Sequence, residues 1–251
     1  MPKFFVNNNQ IRNNQIEIIG TDVNHIKNVL RASVGDKLEI CDVSSNQDYL
    51  CEIERITKEN IMCNIIEMLE ESAESNIKIT IFQGLPKADK MELIIQKSVE
   101  LGVYDIVPVE MKRCVVKLKQ NDETKKLLRW QKISEVAAKQ CGRNIIPEIK
   151  SIINIKNICN FIPEYDIVIV AYEKEEKNKL KQVIQLLKTK KVEKEILKIG
   201  IIIGPEGGID EQEIQILEKS GAQIVTLGKR ILRTETVALN MLSILMYELE
   251  D

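Results

Sequence analysis

The sequence predicts a mixed α/β chain: a small β-barrel with one helix, then a larger α/β domain whose parallel sheet is covered by helices on both faces. Three observations predict it. The first seventy residues carry short apolar-rich runs separated by turn residues. Residues 70–76 are polar and without periodicity, as in a linker between domains. From residue 77 onward, continuous apolar strands alternate with longer helical patterns, as in βα units with strands buried on both faces.

In the barrel, strands are read at 17–19, 37–42, 49–56 and 61–69, with turn chemistry at Val34-Gly35-Asp36. Asp22 is the expected N-cap of the one helix, with Val23, Ile26, Val29 and Leu30 at helical spacing. Short strands of this kind close naturally as a small barrel. In the second domain, 77–82 reads as a strand and 87–101 as a helix ended by Gly102. A strand at 105–109 and a helix at 125–140, closed by Gly142, come next. Strand 166–171, the charged helix 175–187 and the apolar strand 197–203 follow. Helix 210–219 opens with Asp210 and Glu213 at capping-box spacing and stops at Gly221. Strand 222–227 and helix 236–249 complete the series. The domains are therefore read as 1–70 and 77–251.

Composition narrows the function. Apolar residues make up 44% and charged residues 29% of 251, ordinary for a folded globular protein. No apolar run approaches a membrane span. The start of the chain turns polar at once, so a signal peptide is not expected and the expected location is cytoplasmic. The six cysteines are scattered, without a C-x-x-C pair, and His25 is the single histidine. A Cys/His zinc site has almost no material, and no metal is expected. The G-x-S-x-G elbow, H-E-x-x-H and Walker A motifs are absent.

Charge is unevenly spread. Residues 111–150 hold eleven Lys or Arg against four Asp or Glu, although the whole chain has a net charge of −2. Such segregation suggests an electropositive face for phosphates. The alternative is a solvated helix whose acidic partners lie elsewhere in the fold.

In open parallel sheets, ligands bind beyond the carboxyl ends of strands. Two loops there are unusual. Ile203-Gly204-Pro205-Glu206-Gly207-Gly208 follows the most apolar strand, and its glycines permit close backbone approach. Residues 227–236 break a second strand at Gly228 and run into the last helix, which Thr234 or Glu235 would cap. Together they read as two walls of one pocket. The glycine spacing is not the G-x-G-x-x-G of a dinucleotide site.

These residues carry a family resemblance. The matching stretches are His25-Ile26-Lys27-Asn28-Val29-Leu30-Arg31, Gln83-Gly84-Leu85-Pro86-Lys87, Lys90-Met91-Glu92, residues 96–103, Arg113-Cys114, residues 129–133 and Gln140-Cys141-Gly142-Arg143-Asn144. The two C-terminal loops extend the match. The chain resembles the bacterial small-subunit ribosomal RNA uracil-N3 methyltransferases, within the SPOUT class of knotted methyltransferases. Lys139 departs from the pattern, standing where an acidic residue is expected. The resemblance implies a PUA-like N-terminal β-barrel that binds RNA. It also implies a SPOUT α/β domain with a trefoil knot, S-adenosylmethionine as cofactor and a homodimer with the last helix at its interface. The implied substrate is 16S ribosomal RNA in the assembled 30S subunit.

Carried over by motif, the implied cofactor contacts are Ile203, Gly204, Pro205, Gly207, Leu227, Gly228, Ile231, Leu232 and Thr236. Tyr172-Glu173 stands at a cofactor-loop position that varies within the family. Arg233 is a candidate to stabilise charge on uracil, or to cap the last helix. Glu206 and Glu235 are candidates for the base, or for capping and dimer contacts. Lys27, Arg31, Lys87, Lys90, Arg113 and Arg143 are candidates for holding RNA, with Arg143 a candidate for supply across the dimer. His25 is expected to be structural. A knotted ribose 2′-O-methyltransferase and a non-catalytic RNA-binding assembly factor remain the alternatives.

Overall fold

The computed structural model describes residues 3–69, 74–118 and 120–250. They form two compact units, Met1–Glu74 with Ala138–Ile146, and Ser75–Ala137 with Pro147–Asp251.

The first unit is built on β1 (Lys3–Val6), β2 (Ile11–Arg12), β3 (Gln15–Ile19), β4 (Lys37–Asp42), β5 (Gln47–Ile56) and β6 (Asn60–Leu69). They curl into a half-barrel in the order β1-β4-β5-β6-β3-β2. β1 joins β4 in parallel, and the other pairs are antiparallel. Alternate residues, among them Phe4, Ile16, Ile18, Leu38, Ile40, Ile53 and Ile61, fill one core, as a sheet with one inward face requires. Cys41, Cys51 and Cys63 are buried, and burial pushes each thiol up to about 12, far from the reactive range.

Helix α1 (Thr21–Asn24) continues as a single π-type turn over His25–Val29. Asp22 is not the N-cap. Gly20 takes that position, so Asp22 lies inside the first turn, where it receives the Lys139 ammonium at 2.9 Å. Val23 and Ile26 reach the core, and His25 packs edge-on against Phe4.

Residues 70–73 of the expected linker lie outside the described residues. Glu74 is firmly held. It accepts from Arg143 Nη2 at 2.6 Å and from the backbone N–H groups of Asn144 and Ile145 at 2.9 and 3.0 Å. Lys3, 5% exposed, donates to Asp48 at 2.6 Å, Asn144 Oδ1 at 2.9 Å and the Gly142 carbonyl at 3.1 Å. Buried cations persist where such partners satisfy them, and here they tie residues 138–146 into the first unit.

The second unit holds β7 (Ile77–Gly84), β8 (Asp105–Glu110), β9 (Glu148–Ile149), β10 (Ile153–Asn154), β11 (Ile167–Ala171), β12 (Leu197–Ile203) and β13 (Gln223–Val225). Every pairing is parallel, in the order β10-β8-β7-β12-β11-β13 with β9 also on β8. β7 and β12 are buried almost throughout, as strands covered on both faces must be. The short β1, β2, β9 and β10 have no counterpart in the sequence reading, since two to four residues show no resolvable period.

The helices are α2 (Lys90–Glu100), α3 (Gln120–Cys141), α4 (Ile155–Phe161), α5 (Leu180–Glu193), α6 (Glu211–Lys219) and α7 (Thr234–Leu249). α7 packs on β7 and β12 and against α2 and α5, while α4 packs against α6. The capping box at Asp210 and Glu213 forms as expected. α2 starts three residues later than the periodicity suggests, because Ala88 is left-handed at φ 52° and Asp89 becomes the N-cap. α5 starts at Leu180 because the Glu175 carboxylate accepts from the N–H groups of Lys177 and Asn178, holding that stretch in a turn.

Candidate active-site pocket at the strand ends

β12 lies between β7 and β11, so the carboxyl ends of these strands gather their loops in one place. The Gly204–Gly208 turn, the Thr226–Arg233 loop and Ala171-Tyr172-Glu173 line a cavity of 520 Å3. Of the residues expected at a cofactor, Ile203, Gly204, Pro205, Gly207, Leu227, Gly228, Ile231 and Leu232 are on its walls. Thr236 is exposed on the first turn of α7 and is not among the lining residues.

The walls are held by close backbone approach. A Cβ on Gly84 would lie 2.7 Å from Pro205 Cδ and 2.8 Å from its backbone nitrogen, so only glycine lets β7 meet the Gly204-Pro205 turn. Gly208 turns the chain at φ +71°, and a Cβ there would lie 2.5 Å from Glu173 Oε1. Thr234 hydrogen-bonds the turn to α7, donating its hydroxyl to the Gly204 carbonyl at 2.7 Å. It accepts in turn from Gln83 Nε2 at 2.9 Å. The sequence pointed to Thr234 only as a helix cap and to Gln83 only within a motif.

The two carboxylates considered as bases share one cation. Lys90 Nζ lies 3.1 Å from Glu206 and 3.3 Å from Glu235. Partial burial acts to raise the Glu206 pKa. Its own backbone N–H, the Lys90 ammonium and the Lys87 N–H outweigh that and hold it below the usual carboxylate range. Lys90 is raised, chiefly by its hydrogen bond to Glu206. Lys90 was expected to face RNA; here it clamps the Glu206 turn to the start of α7.

Arg113 braces the same turn. Its guanidinium donates to the Gly207 carbonyl at 3.3 Å and reaches Asp210 at 3.5 Å. Arg143, expected on an RNA-facing surface, is 6% exposed and paired with Glu74 in the first unit. In this chain its guanidinium is engaged by the Glu74 carboxylate. Lys27 and Arg31 are exposed on the first unit, with Arg31 left-handed at φ 54°. Lys87 is exposed on the second.

Part of the basic segment 111–150 follows the alternative reading. Lys112 and Arg113 find Asp210, Arg129 finds Glu92, Lys139 finds Asp22 and Arg143 finds Glu74, all with the acid outside the segment. Lys132 and Lys150 pair within it. The cations left without an ion pair at the cavity, among the described residues, are Lys229, Arg230 and Arg233. All three are exposed. Composition could not separate them from the paired ones, because partner choice is a long-range property.

Comparison with known proteins fits this geometry. Residues 73–246 match the model of an RNA methyltransferase domain, and residues 18–66 that of an RNA methyltransferase PUA domain. The chain is 35% identical to the ribosomal RNA small subunit methyltransferase E of Bacillus subtilis (strain 168), covering 100% of this chain and 98% of that protein. A protein of the same name from Mesomycoplasma hyopneumoniae (strain 232) is also 35% identical, over 97% of this chain and 98% of that one. A crystal structure of a ribosomal RNA small subunit methyltransferase E from Neisseria gonorrhoeae, bound to S-adenosyl methionine, has a TM-score of 0.84 at 31% identity. It covers 98% of this chain and 97% of that one.

Proposed function

Because the chain belongs to the ribosomal RNA small subunit methyltransferase E family, we propose that it methylates N3 of a uridine in small-subunit ribosomal RNA, with S-adenosylmethionine as methyl donor. The observation that carries this reading is the 520 Å3 cavity at the ends of β11, β12 and β13, with unpaired cations on its walls. The cavity fits the donor. Its volume is within the range of small-ligand sites. Its walls are largely loop residues, and the space where Gly228 would carry a Cβ is open to 4 Å.

Ile203, Gly204, Pro205, Gly207, Leu227, Gly228, Ile231 and Leu232 would hold the donor, which supplies an electrophilic methyl group. The chain's task is to align N3 with that methyl group and to exclude water. The N3 proton is weakly acidic, so the nitrogen needs help to become nucleophilic. Glu206 is a weak base, since its pKa is held down. It and Glu235 serve as anchors for Lys90. Arg233 is exposed on the cavity wall, carries no ion pair among the described residues and never loses its charge. It stabilises the negative charge that develops as N3 gives up its proton.

A uracil whose Watson–Crick edge is paired offers no N3, so the target is unpaired or extruded. Lys27 and Arg31 on the first unit, and Lys87 on the second, supply phosphate contacts. The protein acts in the cytoplasm as a homodimer on the assembled 30S subunit, and the C-terminal part of the second unit is threaded as a trefoil knot. The test is nucleoside mass spectrometry after incubation with unmodified small subunits and labelled donor. Labelled 3-methyluridine is the expected product. Labelled 2′-O-methyl nucleoside would overturn the target atom, and no label without donor binding would overturn the enzyme.

A further inference from the structure

We propose that Glu173 reads the positive charge of the methyl donor and so determines which adenosine-containing ligands the pocket holds. The proposal rests on the cofactor reading above. Two acidic side chains line the 520 Å3 cavity, Glu173 and Glu206. Glu206 is committed to Lys90. Glu173 has no hydrogen bond or ion pair among the described residues, and two cations of the surrounding segments are engaged elsewhere. Lys174 pairs with Glu211, and Arg113 with Asp210 and the Gly207 carbonyl.

The position of the carboxylate is set by the backbone. Glu173 stands two residues beyond the end of β11, and its Oε1 lies where a side chain on Gly208 would have to go. It is therefore held against the Gly204–Gly208 turn. It also lines the adjoining 780 Å3 cavity, together with Thr226 to Lys229.

The charge pattern is complementary to a zwitterion. The cavity presents one unpaired carboxylate and the unpaired cations Lys229, Arg230 and Arg233. S-adenosylmethionine carries one carboxylate, one ammonium and one sulfonium. Its carboxylate suits Lys229 and Arg230 on the basic side of the cavity. Its cationic centres are the counter-charge Glu173 lacks, and because Glu173 is exposed the attraction there is partly screened by solvent. S-adenosylhomocysteine keeps the ammonium but loses the sulfonium. 5′-Methylthioadenosine has neither charge.

Calorimetric titration of the three ligands into full-length wild type and Glu173→Gln at low ionic strength tests this. The variant should bind S-adenosylmethionine roughly three- to tenfold more weakly, the scale of one partly screened charge pair. Its affinity for 5′-methylthioadenosine should not change, which also reports that the pocket is intact. S-adenosylhomocysteine weakening in parallel with the donor would assign Glu173 to the ammonium. S-adenosylhomocysteine left unchanged would assign it to the sulfonium. Either result supports the proposal. Equal weakening of all three ligands, or of none, would overturn it while leaving the cofactor reading in place. Wild-type protein that binds none of the three would overturn the cofactor reading, and this proposal with it.

Discussion

Thr234 donates its hydroxyl to the carbonyl of Gly204 at 2.7 Å, joining the first residue of α7 to the turn after β12. Gln83, at the end of β7 and 0% exposed, donates to the same hydroxyl at 2.9 Å. Three elements far apart in the chain thus share one hydroxyl. Thr234→Val would leave the Gly204 carbonyl and one Gln83 N–H without that partner. An unmet buried polar group costs about 1–3 kcal/mol, and we expect a loss of that size in urea unfolding, together with weaker donor binding. Thr234→Ser should retain most of both. The double variant Gln83→Leu/Thr234→Val should cost less than the sum of the singles, since both act through one network.

Gly84→Ala tests the close approach of β7 to Pro205. The added Cβ would meet backbone at 2.8 Å, and backbone cannot rotate aside as a flexible side chain can. Overpacking of this kind costs about 1–3 kcal/mol. The displaced segment is the pocket wall, so donor affinity should fall along with stability. Calorimetry and thermal unfolding of the same sample would show whether both move.

Much of the pocket is legible in the sequence because its cause is local. A glycine-rich break at the end of an apolar strand marks both loops, and Asp210 with Glu213 marks the start of α6. The side-chain clamps, at the pocket and within the first unit, are not local. Gln83 and Thr234 are 151 residues apart, Lys139 and Asp22 are 117 apart, and Arg143 and Glu74 are 69 apart. No periodicity or composition shift encodes such partners. The cluster of positive charge at 111–150 therefore read as an RNA face, although five of its eleven cations close ion pairs with acids elsewhere.

Arg143 and Glu74 offer a direct check of such a pairing. Glu74 is partly buried, which acts to raise its pKa, yet the Arg143 guanidinium and two backbone N–H groups pull it below its ordinary value. A depressed carboxylate contributes stability that is complete above its unfolded pKa and is lost as pH falls through the native one. Arg143→Met strands the carboxylate, a change that costs about 3–5 kcal/mol for a buried pair. Arg143→Met/Glu74→Met should recover much of the loss. Unfolding measured from pH 7 downward should show wild type and Arg143→Met converging as Glu74 protonates, in the range below the ordinary carboxylate value.

Lys90→Met separates the clamp from a phosphate contact. With Lys90 between Glu206 and Glu235, its removal leaves two carboxylates without their cation. Glu206 is depressed in the native protein, so the stabilisation from Lys90 is present above the ordinary carboxylate value and fades as pH drops through the native one. The melting-temperature difference between Lys90→Met and wild type should shrink on acidification. RNA affinity should keep the same dependence on salt. A slope reduced by about one would instead place Lys90 on a phosphate.

Arg233 has two possible duties, and pH divides them. It holds the N-cap position of α7, without a side-chain cap hydrogen bond, and it lines the pocket as an exposed cation. If it stabilises the uracil anion, it lowers the pH at which N3 becomes nucleophilic. Arg233→Ala should then cut kcat by about 10²–10³-fold, the scale of removing one group aimed at developing charge. Donor affinity measured by calorimetry should be nearly unchanged. The rate of the variant should still rise at pH values where wild type has levelled off, because alkali supplies the ionisation that the guanidinium no longer assists. The deficit would then narrow with increasing pH, and Arg233→Lys, which retains the charge, would fall between the two. A purely structural role predicts the reverse pattern: a lower melting temperature, with a deficit in rate that is the same at every pH.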